Sequence, residues 1–166
     1  MNKKGFTLIE VIMIIVLLGI MLPGIMMYFI QGVKNSVDSQ LRVTAVFLAE
    51  GLMEEIKSKR WDENSPIPPG SYTTPLTFEV GETRKTFDDI DDFNGLNNPN
   101  PIDSQGEPMT YYSGFRQEVS VCYVPSTNLN DVSNCSIATN YKRIEVKITN
   151  TGTNETISLV SLMTSY

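Results

Sequence analysis

The chain has 166 residues, of which 41% are hydrophobic, and it carries a formal net charge of −6 with no histidine. This composition argues against a disordered, collagen-like or solenoid protein, and the length leaves room for one ordinary domain plus a long extension. A surface with this negative charge repels the phosphate backbone, so we expect no nucleic-acid partner.

A continuous apolar run occupies residues 11–30, where no charged side chain occurs. A run of this length can cross the hydrocarbon core of a bilayer as one helix. Because Lys3 and Lys4 precede it, the positive-inside rule predicts a single-pass protein with its N-terminus in the cytoplasm. Residues 31–34 lack a small-x-small pattern, so we expect no cleavage by an ordinary signal peptidase at that point.

Glu10 lies at the start of this run. A carboxylate in hydrocarbon is costly unless it is paired or protonated. The next basic residue along the chain is Lys34, far beyond one or two helical turns, so the helix itself offers no partner. We therefore expect the partner to come from another chain. The alternative is an ordinary signal anchor whose Glu10 reaches the lipid headgroups.

The stretch K-G-F-T-L-I-E-V, residues 4–11, resembles the processing site of type IV pilins and type II secretion pseudopilins. The resemblance implies that a membrane prepilin peptidase removes residues 1–5 by cutting after Gly5. It also implies that the new N-terminal residue, Phe6, is N-methylated. In that family the glutamate at the position of Glu10 neutralises the N-terminal ammonium of a neighbouring subunit during assembly.

The residues after the apolar run predict an amphipathic helix, because apolar side chains recur every three or four residues with charged ones on the other faces. No proline occurs between Pro23 and Pro66, so we expect one helix over residues 6–60. Residues 6–30 would be its transmembrane and assembly part, and residues 31–60 its amphipathic continuation. The apolar positions are Val33, Val37, Leu41, Ala45, Leu48, Leu52 and Ile56.

The remaining residues, 61–166, predict a globular β domain. Residues 61–70 have the composition of a loop that ends the helix, and short extended segments are expected over 72–80. Later segments alternate apolar and polar residues as half-buried strands do, the last two joined by turn residues at 150–154. The strands are expected at 115–124, 141–149 and 156–163. The fold class is α+β, a long helix on a small antiparallel sheet, which resembles the type IV pilin fold.

The two cysteines, Cys122 and Cys135, are too far apart for a CxxC redox or zinc motif. A disulfide is expected, because the positive N-terminal flank places the domain outside the cytoplasm, in an oxidising compartment. Closing a loop of that size with a disulfide raises the free energy of unfolding by roughly 3 kcal/mol. The alternative is a pair of free buried thiols in a cytosolic fold.

Three further stretches are similar to minor pilins of the mannose-sensitive haemagglutinin (MSHA) pilus, D type. They are A-E-G-L-M-E-E-I at residues 49–56, K-R-W-D-E-N at 59–64 and F-D-D-I-D-D-F-N-G at 87–95. Minor pseudopilins of type II secretion and the V-like minor pilins share the helix pattern. The K-type pseudopilin that caps a tip typically lacks the glutamate, so Glu10 argues against that role.

One loop contains many oxygen-bearing side chains, which could hold calcium as some pseudopilin loops do. The spacing fails the EF-hand pattern, because Ile90 stands where the first aspartate should be when counting back from Gly95. We therefore favour a solvated acidic loop with turns at Asn94-Gly95 and at residues 97–99, and no cofactor. The loop residues are Asp88, Asp89, Asp91, Asp92 and Asn94.

No enzyme activity is expected, because the sequence lacks histidine, Walker-type glycines, a G-x-S-x-G elbow and spaced thiolate ligands. Glu54 and Glu55 are adjacent on a helix and therefore point apart. Aromatic side chains that might form a binding surface are more often packing residues. They are Trp61, Tyr111, Tyr112 and Phe115.

The expected function is that of a structural subunit, a minor pilin of an MSHA-like pilus, anchored in the inner membrane with its globular domain in the periplasm. Its expected partners are other pilin subunits, the prepilin peptidase, the inner-membrane assembly platform and membrane lipid. Two alternatives remain: a minor pseudopilin of type II secretion, and a signal-anchored periplasmic binding domain that never polymerises.

Overall fold

The computed structural model describes residues 5–62, 72 and 74–165 of the chain. These residues divide into two compact units, Met1–Leu41 and Arg42–Tyr166. The basic residues Lys3 and Lys4 and most of the expected loop after the helix lie outside the described residues. The predicted boundaries of leader, membrane helix, amphipathic helix and globular domain stay predictions.

Helix α1 spans Leu8–Lys57 and runs without interruption through Pro23. It begins two residues later and ends three residues earlier than the sequence predicts. Its end has a backbone cause: the Arg60 N–H donates to the Asp88 carbonyl at 3.2 Å, and the Arg60 carbonyl accepts from the Ile90 N–H at 3.1 Å. These two bonds draw the chain into an isolated bridge and away from the helical path.

In the first unit, α1 is strongly apolar. Residues 5–37 are all exposed, which includes Val33 and Val37 of the expected apolar stripe. By length and composition, α1 contains a segment able to cross a membrane. An apolar surface of this extent requires cover by lipid or by other helices.

The second unit contains four strands, β1 (Asn97–Asn98), β2 (Phe115–Tyr123), β3 (Tyr141–Asn150) and β4 (Thr156–Thr164). They form an antiparallel sheet in the order β1-β2-β3-β4. Val119 pairs with Val146, and Val146 pairs with Leu159, so apolar residues of neighbouring strands share one face. The strands β2, β3 and β4 confirm the predicted ones within a few residues. β1 was not predicted, since two residues carry no periodicity.

The core of the second unit lies between the end of α1 and the inner face of the sheet. The predicted helix positions Ala45, Leu48, Leu52 and Ile56 are buried. From β3 the alternate residues Ile144, Val146 and Ile148 are fully buried. This arrangement confirms the α+β class, a long helix packed on a small antiparallel sheet.

The connection between β3 and β4 is the predicted hairpin turn. The Asn150 side-chain oxygen accepts the backbone N–H groups of Gly152 and Thr153, each at 2.9 Å. Asn154 adopts a positive φ of 56°, which asparagine tolerates better than most residues. The described residues between 72 and 80, by contrast, form no strand, so the expected extended segments are absent from that part.

Candidate functional site

The peptide bond between Gly5 and Phe6 lies in the short segment that precedes α1. Residues 5–7 are non-helical and exposed, and Phe6 is 74% exposed. A Cβ atom placed on Gly5 would meet none of the described residues within 4 Å, so packing inside this chain does not require glycine there. An exposed, non-helical bond is open to a peptidase.

Thr7 caps the N-terminus of α1. The Glu10 N–H lies 3.1 Å from the Thr7 carbonyl oxygen and 3.4 Å from Thr7 Oγ1, and the Val11 N–H donates to the same carbonyl at 3.2 Å. The spacing T-x-x-E is that of a capping box, a signal present in the sequence but overlooked there. Glu10 therefore stands on the first helical turn, where the helix dipole favours a negative charge.

The surface beyond Glu10 contains no charge until Lys34. In α1 these residues form a long, exposed stretch without charge, and the carboxylate of Glu10 lies at its N-terminal end. In an apolar environment that carboxylate requires a proton or a cation from outside the helix. The geometry leaves Glu10 accessible to such a partner.

Cys122 and Cys135 form a disulfide, as the sequence predicts. Cys122 is buried in β2, and Cys135 lies in the loop that leads to β3. The bond closes a loop between positions 13 apart in sequence. The disulfide therefore links the long connection between β2 and β3 covalently to strand β2.

Replacing both cysteines with serine is expected to lower the free energy of unfolding by roughly 3 kcal/mol, because the open chain regains the entropy that loop closure removes. Urea unfolding of the full-length chain in detergent measures the loss. The parent chain under dithiothreitol is the matched control and should show a similar decrease. An unchanged urea midpoint in the double variant would contradict the stabilising role.

The acidic loop is not solvated, and that prediction is wrong. Asp89, Asp91 and Asp92 are only 2%, 2% and 1% exposed. Asp89 Oδ1 accepts the N–H groups of Asp91 and Asp92 at 2.7 and 3.3 Å, and Asp92 Oδ2 accepts those of Asp88 and Asp89 at 2.7 and 3.0 Å. These bonds satisfy the amides of the loop and of the short 3₁₀ turn at Asp91–Phe93. Asp88, which is half-exposed, pairs with Arg60.

Lys142 is fully buried and pairs with Asp91. Its Nζ lies 2.6 Å from Asp91 Oδ1 and donates to the Trp61 carbonyl at 2.5 Å. The ammonium also lies 4.6 Å from the Trp61 ring centroid and 5.3 Å from that of Tyr123. The sequence already indicates this burial. Lys142 lies two residues before the buried Ile144, and alternate residues of a strand face the same side of the sheet.

The acidity of Asp91 in this cluster is strongly perturbed. Burial raises its pKa to about 7, although the charge and hydrogen bond of Lys142 act in the opposite direction, while Asp89 and Asp62 reinforce the rise. A raised carboxyl pKa means that its contribution to stability is present below about pH 4 and is lost as the pH rises towards 7. Burial therefore has a larger effect on the pKa of Asp91 than the ion pair with Lys142 has.

Glu145, on the other face of β3, behaves in the opposite way. Burial tends to raise its pKa, but hydrogen bonds from Arg143, Ser158 and Lys147 prevail and lower the pKa to about 2. The contacts are at 2.9, 2.7 and 3.3 Å respectively. This group contributes stability above about pH 4.5 that is lost as the pH falls towards 2.

The other residues considered for chemistry lie in separate surroundings. Glu55 accepts two hydrogen bonds from Arg84, at 2.7 and 2.5 Å, whereas Glu54 is exposed. Among the aromatic residues, Phe115 is a core residue and Tyr111 is 90% exposed. Trp61 packs against Tyr72 as well as Lys142.

A comparison with protein families identifies the N-terminal segment. Residues 1–22 match the prokaryotic N-terminal methylation motif. Gly5, Phe6 and Glu10 lie within this range, and the motif supports a structural subunit of the type IV pilin or pseudopilin kind. It implies processing by prepilin peptidase and association with other pilin subunits. The described helix, sheet and disulfide fit the α+β type IV pilin fold.

No curated protein and no solved structure matches the chain significantly. The methylation motif spans 22 of the 166 residues, so it bears on the helix and not on the globular domain.

Proposed function

We propose that the chain is a minor pilin of a type IV, MSHA-like pilus, cut after Gly5 and assembled through α1. The observation that carries the proposal is the methylation motif at residues 1–22, which includes the first turns of the apolar helix α1, where Glu10 is the one carboxylate before Lys34.

The anchor first holds the subunit in the inner membrane, with the N-terminus in the cytoplasm and the globular domain in the periplasm. The disulfide agrees with an oxidising compartment for that domain. Cleavage after Gly5 removes Lys3 and Lys4 and leaves the entire apolar run on the mature subunit. The anchor thereby becomes the element that other subunits and lipid cover.

Assembly then uses two charges of opposite sign. Cleavage creates an ammonium group at Phe6, and Glu10 of an adjacent subunit supplies its counter-charge. In a low-dielectric filament core, each charge alone is costly and the pair is far less so. The pair therefore favours the stagger between neighbouring helices that brings residue 6 of one to residue 10 of another. The assembly platform would extract the subunit from lipid in this register.

The test is the mass of the mature N-terminal peptide, from cells that contain an active prepilin peptidase. We expect a peptide that begins at Phe6 and carries one added methyl group, and an uncut chain in a strain without the peptidase. A chain that keeps Met1, or one cut by signal peptidase after the apolar run, would identify a signal-anchored domain instead. Association with secretion components rather than with pili would favour a type II minor pseudopilin.

A further inference from the structure

Lys142 and Asp91 meet in the interior of the second unit, where almost none of either side chain reaches solvent. Their side chains are 0% and 3% exposed, and Lys142 Nζ lies 2.6 Å from Asp91 Oδ1. An amine becomes a nucleophile once its extra proton leaves, and the carboxyl carbon of an aspartic acid is a matching electrophile. The two side chains together therefore have the composition of one amide bond and one water molecule.

The fold holds the amine against this carboxyl group. Strand β3 carries Lys142, and the 3₁₀ turn at Asp91–Phe93 carries Asp91. Nζ also donates to the Trp61 carbonyl at 2.5 Å, which restricts the positions open to the amine. Groups held with their reacting atoms about 3–3.5 Å apart react as if they were at very high concentration. Because Oδ1 is bonded to Cγ, the 2.6 Å contact brings Nζ within reach of that carbon.

The surroundings of the pair are aromatic and exclude water. Nζ lies 4.6 Å from the ring centroid of Trp61 and 5.3 Å from that of Tyr123. Two opposite charges are costly in such an environment, and the transfer of one proton between them removes both. Burial raises the pKa of Asp91 to about 7, so this carboxyl accepts a proton more readily than an exposed one. Exclusion of water also protects an amide, once formed, from hydrolysis.

Two further carboxyl groups can move protons in this enclosure. Asp62 and Asp89 are 0% and 2% exposed, and the charge of each raises the pKa of Asp91. Asp89 Oδ1 accepts the backbone N–H of Asp91 at 2.7 Å, so its carboxyl is adjacent to the turn. Such a group acts as a general base towards the amine and then as a general acid towards the departing oxygen. Asp91 Oδ2 suits that departure, because it is buried and has no hydrogen-bond partner among the described residues.

We propose that Lys142 and Asp91 condense within the folded chain into an isopeptide bond, the amide that joins Nζ to Cγ. The ammonium first gives a proton to the carboxylate, which leaves a neutral amine and a neutral carboxylic acid. Nζ then attacks Cγ, the Nζ–Cγ bond forms, and the bond between Cγ and the departing oxygen breaks. That oxygen leaves as water with the transferred proton and one proton from the amine. The reaction is a dehydration, so its balance needs no oxidant or reductant. The ion pair is the state that precedes it.

The isopeptide bond joins strand β3 covalently to the acidic loop. The loop that it closes, residues 91–142, contains the smaller loop closed by the disulfide of Cys122 and Cys135. Unlike the disulfide, an amide survives reducing agents. The reaction requires only the folded second unit, so the proposal does not depend on whether the chain enters a pilus.

The test is the mass of the full-length chain, purified from membranes in detergent and reduced with dithiothreitol. We expect a mass about 18 Da below that calculated for the same N-terminal form, which is the loss of one water. Digestion with trypsin and a glutamate-specific protease should release residues 86–116 joined to residues 119–143. On denaturing gels the reduced chain should run ahead of an open one. A parent chain of full mass, with the two peptides separate, would overturn the proposal and show that the pair stays ionic.

Lys142→Met is the decisive variant, because it keeps an unbranched side chain of similar length and removes the amine. It should have the full mass and release two separate peptides. Lys147→Met, in the same strand but 45% exposed at its side chain, is the matched control and should still lose one water. A loss of water in Lys142→Met, or joined peptides whose fragments place the bond at another residue, would refute the assignment.

Asp91→Asn gives a second variant if Lys142→Met fails to fold by circular dichroism. Asparagine has the size of aspartate, and its condensation with Lys142 would release ammonia, so any joined peptides should be about 17 Da lighter than their sum. A loss of about 18 Da in the joined peptides of this folded variant would show that another carboxyl reacts, and would refute the role of Asp91.

Discussion

A Glu10→Leu chain is expected to insert into the membrane and to be cut after Gly5, yet to be lost from the filament. Leucine suits hydrocarbon better than glutamate does, so anchoring is not weakened. The ammonium of the neighbouring Phe6 would be left without its counter-charge, and breaking a buried pair costs about 3–5 kcal/mol. Incorporation, measured by immunoblot of sheared filaments against total membrane protein, should fall by roughly 100-fold or more.

Two controls separate the charge from the substitution itself. Glu54→Leu makes the same replacement at an exposed position in the part of α1 that belongs to the globular unit. It should leave incorporation near the parent level. Glu10→Asp retains the charge on a shorter side chain and should recover part of the incorporation. Filaments that contain the Glu10→Leu subunit at the parent level would remove Glu10 from the assembly mechanism.

Lys142→Met is expected to be the most damaging single change in the globular unit. It keeps an unbranched side chain of similar length but leaves Asp91 without the ammonium that lies 2.6 Å away. An uncompensated buried carboxylate costs about 3–5 kcal/mol, a large fraction of the stability of a small domain. Urea unfolding at pH 8, followed by Trp61 fluorescence in the full-length chain, measures the loss.

The pH dependence of this loss distinguishes charge from packing. The pKa of Asp91 is raised to about 7, so at pH 5 most of this carboxyl is protonated and no longer requires Lys142 as a counter-charge. The penalty of Lys142→Met should therefore be smaller at pH 5 than at pH 8. Lys147→Met, in the same strand but 45% exposed at its side chain, should cost no more than about 1 kcal/mol at either pH. Equal penalties at both pH values would show that the ion pair is not the source.

The sequence predicts the parts of this fold that repeat with a regular period. Ala45, Leu48, Leu52 and Ile56 recur at helical spacing and are all buried. The alternation of apolar and polar residues around Ile144 belongs to a strand one residue longer than predicted. The N-terminal motif is also local in sequence, because Gly5 and Glu10 lie within the 22 residues that match the methylation motif. Contacts between neighbours along the chain leave a pattern that can be read without coordinates.

The globular cluster could not be predicted because its partners are far apart in sequence. Asp91 lies in an aspartate-rich stretch that has the composition of a solvated loop, and nothing local indicates that Lys142 covers it. The prediction that Asp92 is solvated fails for a similar reason. Its burial depends on the loop folding so that its carboxylate accepts the N–H groups of Asp88 and Asp89. The alternation in β3 predicts that Lys142 faces the core, but it does not indicate which residue pairs with the ammonium group.

The buried lysine also imposes an order on the completion of the globular unit. Lys142 joins segments around residues 61, 91 and 142, and the third of these is synthesised after the other two. Until strand β3 arrives, Asp91 lacks the cation that makes its burial tolerable, so the acidic loop has an electrostatic reason to stay hydrated. Closing that loop becomes a late event in folding, and a chain that stops short of β3 would display an open, negatively charged loop. A protease that cleaves exposed loops would then distinguish an unfinished chain from a folded one.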